Sequence, residues 1–137
     1  MNFLLDTDTF SAIAARRHPG ALERLSALPQ GAAGISWITL GEVAFGIRRS
    51  KPVQRTISGI ESLRRSLVAV PLDESVVEQY ARLRAALEAK GRPIGPNDSW
   101  IAAHALARGL TLVTGNEREF RRVPGLKVEN WLVQPGL

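Results

Sequence analysis

Short apolar runs alternate with longer segments of helical periodicity along the whole chain, and that alternation restricts the fold to one class. Asn2 to Leu5, Gly31 to Ser36, Val68 to Val70 and Leu110 to Val113 read as short buried strands, with Leu126 to Glu129 a last short one. The spacing predicts helices over Thr9 to Arg17, Ala21 to Leu28, Ile38 to Arg49, Pro52 to Leu67, Asp73 to Lys90 and Asn97 to Arg108. Leu40, Val43, Ala44 and Ile47, for example, recur at the i, i+3, i+4, i+7 spacing of one helical face. Punctuation agrees with this division. Pro19 stops the first helix, Asp73 caps the long one, Gly91 ends it and Pro96 introduces the next. Strands separated by helices cannot pair as hairpins. They imply an α/β fold of three layers, with a central, mainly parallel sheet of four to five short strands and helices on both faces. A chain of 137 residues fits one such domain, spanning 1–137.

Composition narrows the function classes. Apolar residues make up 45% of the chain, enough for a core, yet no run reaches the 18 residues of a membrane span. The first residues lack the basic start and long apolar middle of a signal peptide. Cysteine is absent, which excludes disulfides, thiolate metal sites and a cysteine nucleophile. A cytoplasmic protein is expected. The net charge is +5, and doublets occur at Arg16-Arg17, Arg48-Arg49, Arg64-Arg65 and Arg121-Arg122. Arginine grips phosphate through a planar fork, so this balance suits a nucleic-acid ligand as well as it suits plain solvated helix faces.

The carboxylates carry the functional signal. In a parallel sheet, ligands bind beyond the carboxyl ends of the strands. Asp6 lies there, in a loop of Asp6 to Asp8; because Asp8 or Thr9 can cap the following helix, Asp6 is left for another role. Asp98 opens a helix that is apolar nearly all round, with Trp100, Ile101, Ala102, Ala103, Ala105, Leu106 and Ala107. A carboxylate there is costly unless it is paired, caps the helix or binds a cation, and Asn97 could equally supply the cap. Periodicity alone puts Glu42 opposite the core stripe, as an ordinary solvent-facing glutamate. Thr114 to Phe120 reads as a polar loop after a buried strand, containing Asn116, Glu117 and Glu119. His104 falls inside the buried helix and reads as structural. Carboxylates gathered at one sheet edge would repel one another unless a divalent cation joined them; Mg²⁺ is expected, with Mn²⁺ able to substitute.

The pieces Phe3-Leu4-Leu5-Asp6-Thr7-Asp8-Thr9, Ile38-Thr39-Leu40-Gly41-Glu42-Val43-Ala44-Phe45-Gly46, Gly91-Arg92-Pro93-Ile94-Gly95-Pro96-Asn97-Asp98, Ile101-Ala102-Ala103-His104-Ala105 and Leu112-Val113-Thr114-Gly115-Asn116 form an ordered set, followed by Glu119-Phe120, Val123-Pro124-Gly125-Leu126 and Val128-Glu129-Asn130-Trp131. In order and spacing this set resembles the PIN-domain family, and within it the VapC-type toxins of bacterial toxin–antitoxin pairs. The resemblance implies a PIN-like fold and a Mg²⁺-dependent endoribonuclease that cuts transfer or ribosomal RNA. It implies that Asp6, Glu42 and Asp98 are the central metal-binding carboxylates. It points to Glu119 for the fourth acid, because Asn116 stands where many relatives carry aspartate. Thr7 and Thr114 are expected as hydrogen-bonding supports. It further implies a homodimer, inhibited by a VapB-like antitoxin whose tail lies in an apolar groove, with operator DNA met only through that antitoxin; Phe10, Ile13 and Leu25 of the first helices suit the lining of such a groove and suit the core at least as well. Two rivals remain at this point. A haloacid-dehalogenase-like phosphatase would use Asp6-Thr7-Asp8-Thr9, but it needs a later lysine and a terminal acidic pair. A PIN-like module could instead bind RNA or protein without cutting.

Overall fold

A computed structural model describes residues 1–133. Five strands, β1 (Phe3–Leu5), β2 (Ala33–Ser36), β3 (Val68–Val70), β4 (Thr111–Val113) and β5 (Val128–Glu129), form one sheet in the order β3-β2-β1-β4-β5. Every pairing is parallel. The helices are α1 (Thr7–Ala14), α2 (Pro19–Ser26), α3 (Trp37–Ser50), α4 (Gln54–Arg65), α5 (Glu74–Ala89), α6 (Pro96–Arg108) and α7 (Glu117–Phe120).

Strand alternation builds two cores from one sheet. Leu4, Val70 and Leu112 point to one face and pack with Val76, Leu83 and Leu87 of α5 and Ile101 of α6. Their neighbours Leu5, Ile35 and Val113 point to the other face, against Phe10 and Ile13 of α1, Leu25 of α2 and Leu63 of α4. Leu4, Leu5, Ile35, Leu112 and Val113 are all fully buried, which is why these strands are apolar throughout rather than alternating.

The sheet's centre is tight. Gly34 of β2 lies in register with Leu4 on one side and Val68 on the other. A β-carbon there would come within 2.8 Å of both the Val68 carbonyl oxygen and the Met1 sulfur. Gly34→Ala is therefore expected to cost about 1–3 kcal/mol through displaced strands. Urea unfolding of the variant checks this, and an unchanged midpoint would show that the β2–β3 spacing is not constrained.

Several element limits differ from those the sequence predicts. α1 begins at Thr7 rather than Thr9, because Asp6 itself is the N-cap, its side chain accepting from the Thr9 amide. It ends at Ala14 rather than Arg17, and Arg16 adopts a left-handed φ of 58°. Pro19 opens α2 instead of merely stopping α1; its fixed φ suits a first helical position. Pro52 lies ahead of α4, whose N-cap is Val53. Neither Asn97 nor Asp98 caps α6; its N-cap is Gly95, with Pro96 in the first turn. Glu117–Phe120, read as loop from the sequence, is the short helix α7. Asp73 does cap α5, accepting from the Ser75 and Val76 amides. The stripe Leu40, Val43, Ala44 and Ile47 of α3 is only partly buried, and Thr39 is that helix's one buried residue. Phe10, Ile13 and Leu25, candidates for a groove, lie in the core. No helix among the described residues is long and apolar enough to cross a membrane.

Candidate active site

The strand order changes direction between β1 and β4, and in parallel sheets such a switch point leaves a crevice at the carboxyl ends of the strands. Asp6 follows β1 at that edge and Thr114 follows β4. The two side chains meet across the crevice: the Thr114 hydroxyl donates to Asp6 Oδ2 at 2.5 Å. Asp6 Oδ1 accepts the Thr9 amide at 2.9 Å. Only 3% of Asp6 is exposed. Burial raises its pKa above the usual carboxylate value, and the bonds from Thr114 and Thr9 oppose that rise.

Glu42 enters from α3. Thr7, the first residue of α1, donates its hydroxyl to Glu42 Oε1 at 2.5 Å. The Asn97 side chain, in the first turn of α6, donates to Oε2 at 3.2 Å. Glu42 is thus half-buried and held at both oxygens, and does not point freely into solvent as periodicity suggests. Asp98 sits one residue beyond Asn97. Its pKa is pushed up to about 7, first by burial and then by the carboxylates of Glu119, Asp6 and Glu42. A helix N-terminus normally favours an anion, so burial, joined by the neighbouring carboxylates, outweighs the helix end here. Glu119 approaches from α7. Its Oε1 accepts the Gly95 amide at 3.1 Å and its Oε2 accepts the Asn116 side-chain amide. The Asn116 backbone amide in turn donates to Thr114 Oγ1 at 2.9 Å. Asn116 therefore holds Glu119 in place with its amide nitrogen.

The structure brings Asp6, Glu42, Asp98 and Glu119 into one electrostatic cluster, with Thr7, Thr114 and Asn116 as their hydrogen-bonding supports. Asp8 is exposed and supports none of them. Two participants escape the sequence reading: Asn97 reads there only as a helix cap, and Thr39, whose hydroxyl lies 3.1 Å from that of Thr7, carries no role there. The i, i+3 spacing of Thr39 and Glu42 on one helical face is the signal that could have found it.

A second link ties the two acid-bearing helices together. Ser36 Oγ caps α3 by accepting the Ile38 amide, and it also lies 2.8 Å from His104 Nδ1 of α6. Burial, and then the positive charge of Arg108, hold His104 below its ordinary pKa, so the neutral ring serves as an internal strut. His104 is structural, as the buried helix pattern suggests.

The donor set fits a hard divalent cation: four carboxylates, all oxygen, carrying a mutual repulsion that such an ion would relieve. Among the described residues, no three His, Asp or Glu side chains already stand at ligand distance from a common point. The bonded oxygens keep lone pairs free, so coordination does not require Thr7, Thr114 or Asn116 to release their partners.

The PIN-domain family model matches residues 3–126. The chain is 36% identical to the tRNA(fMet)-specific endonuclease VapC of Shigella flexneri over 131 residues, covering 96% of this chain and 98% of that protein. Ribonuclease VapC2 of Rickettsia felis is also 36% identical, with the same 96% and 98% coverage. Among solved structures, DNA-bound VapBC from Salmonella typhimurium superposes with a TM-score of 0.88 at 36% identity, over 96% of this chain and 98% of that one. The family model spans most of the chain, and the agreement in sequence and in fold runs over nearly its whole length: the chain belongs to the PIN-domain family, in its VapC-type branch.

Proposed function

We propose that this protein is an endoribonuclease toxin that hydrolyses RNA phosphodiesters with Mg²⁺ and is held inactive by a VapB-like antitoxin. The observation that carries the catalytic reading is the convergence of four carboxylates at the switch point of the sheet, marked by the upward shift of Asp98. Asp6, Glu42 and Asp98 would hold the ion, with Glu119 as the fourth acid. A divalent ion bound there would lower the pKa of water and neutralise charge on the phosphate. The chain's own groups supply the geometry. Thr114 fixes Asp6, Thr7 and Asn97 fix Glu42, and Asn116 with the Gly95 amide fixes Glu119. Arg92, in the stretch ahead of α6, and Arg118, within α7 beside Glu119, are both exposed and would bind the RNA backbone.

The named relatives are ribonucleases, one of them specific for tRNA(fMet), and the similar solved structures are toxin–antitoxin complexes. They support transfer RNA as the first substrate to test and an antitoxin as the partner. A cytoplasmic homodimer, one nuclease domain per chain spanning 1–137, completes the reading. Incubating the purified protein with a transfer RNA pool in Mg²⁺ tests it. Cleavage with 5′-phosphate and 3′-hydroxyl ends is expected. RNA retention without chain cleavage would favour a binding module instead, and 2′,3′-cyclic ends would exclude water as the nucleophile.

A further inference from the structure

We infer that Thr39 is a positioning residue of this site, acting on Glu42 through Thr7. The inference rests on Glu42 being a metal ligand, and it follows from counting protons. The Thr7 hydroxyl has one proton and two oxygen neighbours: Glu42 Oε1 at 2.5 Å and Thr39 Oγ1 at 3.1 Å. A metal-binding carboxylate can only accept, so the Thr7 proton belongs to Glu42. The contact with Thr39 is then a hydrogen bond only if Thr39 donates and Thr7 accepts. The hydroxyls form a directed chain, Thr39 to Thr7 to Glu42.

The surroundings of Thr39 fit that role. It is fully buried, while the apolar residues of the same helix are partly buried or, at Trp37 and Phe45, exposed. Threonine inside a helix ordinarily donates to a carbonyl three or four residues earlier. Here the hydroxyl's partner is Thr7, at the start of a different helix. Thr39 and Glu42, at i and i+3 of α3, therefore clasp Thr7 between them. Thr7 directly follows Asp6, whose side chain caps α1. The chain thus sets Glu42 relative to Asp6, two carboxylates delivered by different helices. Donation into Thr7 also strengthens the bond that Thr7 makes onward, because linked hydroxyls polarise one another. Without Thr39, the Thr7 hydroxyl loses its fixed direction and Glu42 is held less firmly at Oε1, with the Asn97 bond to Oε2 left in place.

The test uses the full-length protein and reads metal binding apart from activity. Mn²⁺ is titrated and the free ion followed by electron paramagnetic resonance, with RNA cleavage measured in parallel. Thr39→Val, which keeps the shape and removes the hydroxyl, is expected to weaken Mn²⁺ binding about tenfold, the lower end of the range for partners that orient metal ligands. Its kcat should fall with little change in KM. Thr39→Ser should restore both. If the valine does not fold, Thr39→Ala reads the same loss without a branched side chain. Thr7→Val should weaken binding at least as much, and adding Thr39→Val to it should change nothing further, because the two act in series. Mn²⁺ affinity within twofold of wild type in Thr39→Val or Thr39→Ala overturns the proposal. So does a serine variant as impaired as the valine, or a double variant whose losses multiply. Glu42→Gln separates the two levels of the argument. If it leaves Mn²⁺ affinity unchanged, Glu42 is not a ligand, and the underlying site assignment fails rather than the relay alone.

Discussion

Asp98→Asn is expected to reduce RNA cleavage on the order of a thousandfold while raising the melting temperature of the metal-free protein at pH 8. Both effects come from the same charge. In the folded chain the Asp98 carboxyl is pushed up to about 7 by burial and by Glu119, Asp6 and Glu42. At pH 8 it is therefore ionised against opposition that the unfolded chain does not present. Asparagine keeps the shape and removes the charge, so the folded state is relieved. The same substitution removes a ligand oxygen and the charge that balances the cation, so activity falls. Differential scanning calorimetry in EDTA and a cleavage assay in Mg²⁺ check the two halves. A variant that is less stable and fully active would contradict both.

Removal of divalent ions is expected to take cleavage to background, and the protein's stability in EDTA should carry the imprint of the missing ion. Asp98 has a folded pKa of about 7 against 3.8 for a free aspartate. Between those values the native state binds the extra proton, so stability falls as pH rises through that window. Asp6, raised by burial, acts in the same direction. His104 acts in the opposite direction. Its folded pKa lies below 6.5, so the unfolded chain takes up a proton first and stability falls as pH is lowered through 6.5. The two effects overlap near pH 6.5; above pH 7 the unfolded histidine is mostly neutral, the carboxylates dominate, and the melting temperature in EDTA should decline from pH 7 to 8. Saturating Mg²⁺ should abolish the decline, because ion and proton compete for the same oxygens. Mg²⁺ should correspondingly bind more tightly at pH 8 than at pH 6. Cleavage that survives EDTA, or a melting temperature flat across this range, would count against a shared cation site.

The layered parallel sheet is legible in the sequence because its strands are buried on both faces and read as unbroken apolar runs. Asp6 is legible as a polar residue at a strand's end, and Asp98 as a charge opening a helix with no polar face. Glu42 is not, since helical periodicity assumes that a helix packs by its apolar stripe. α3 instead buries Thr39, and its contact with the start of α1 decides which face matters. The partners of Glu42 are equally hidden, one 35 and the other 55 residues away in sequence. α7 has four residues, too few for a helical pattern to emerge, and its packing rests on buried Phe120 alone. The family resemblance supplied what periodicity could not, because it carries the outcome of such long-range contacts. It did not indicate that Asn116 places its amide on Glu119.

A crystal of the protein soaked in Mn²⁺, with diffraction recorded at the manganese absorption edge, tests the central claim most directly. An anomalous peak is expected in the crevice beyond β1 and β4, about 2.1 Å from carboxylate oxygens of Asp6 and Asp98. Glu42 and Glu119 should line the same pocket, directly or through water. A crevice without a peak at saturating Mn²⁺, or a peak bound only by acids elsewhere on the surface, would contradict the account.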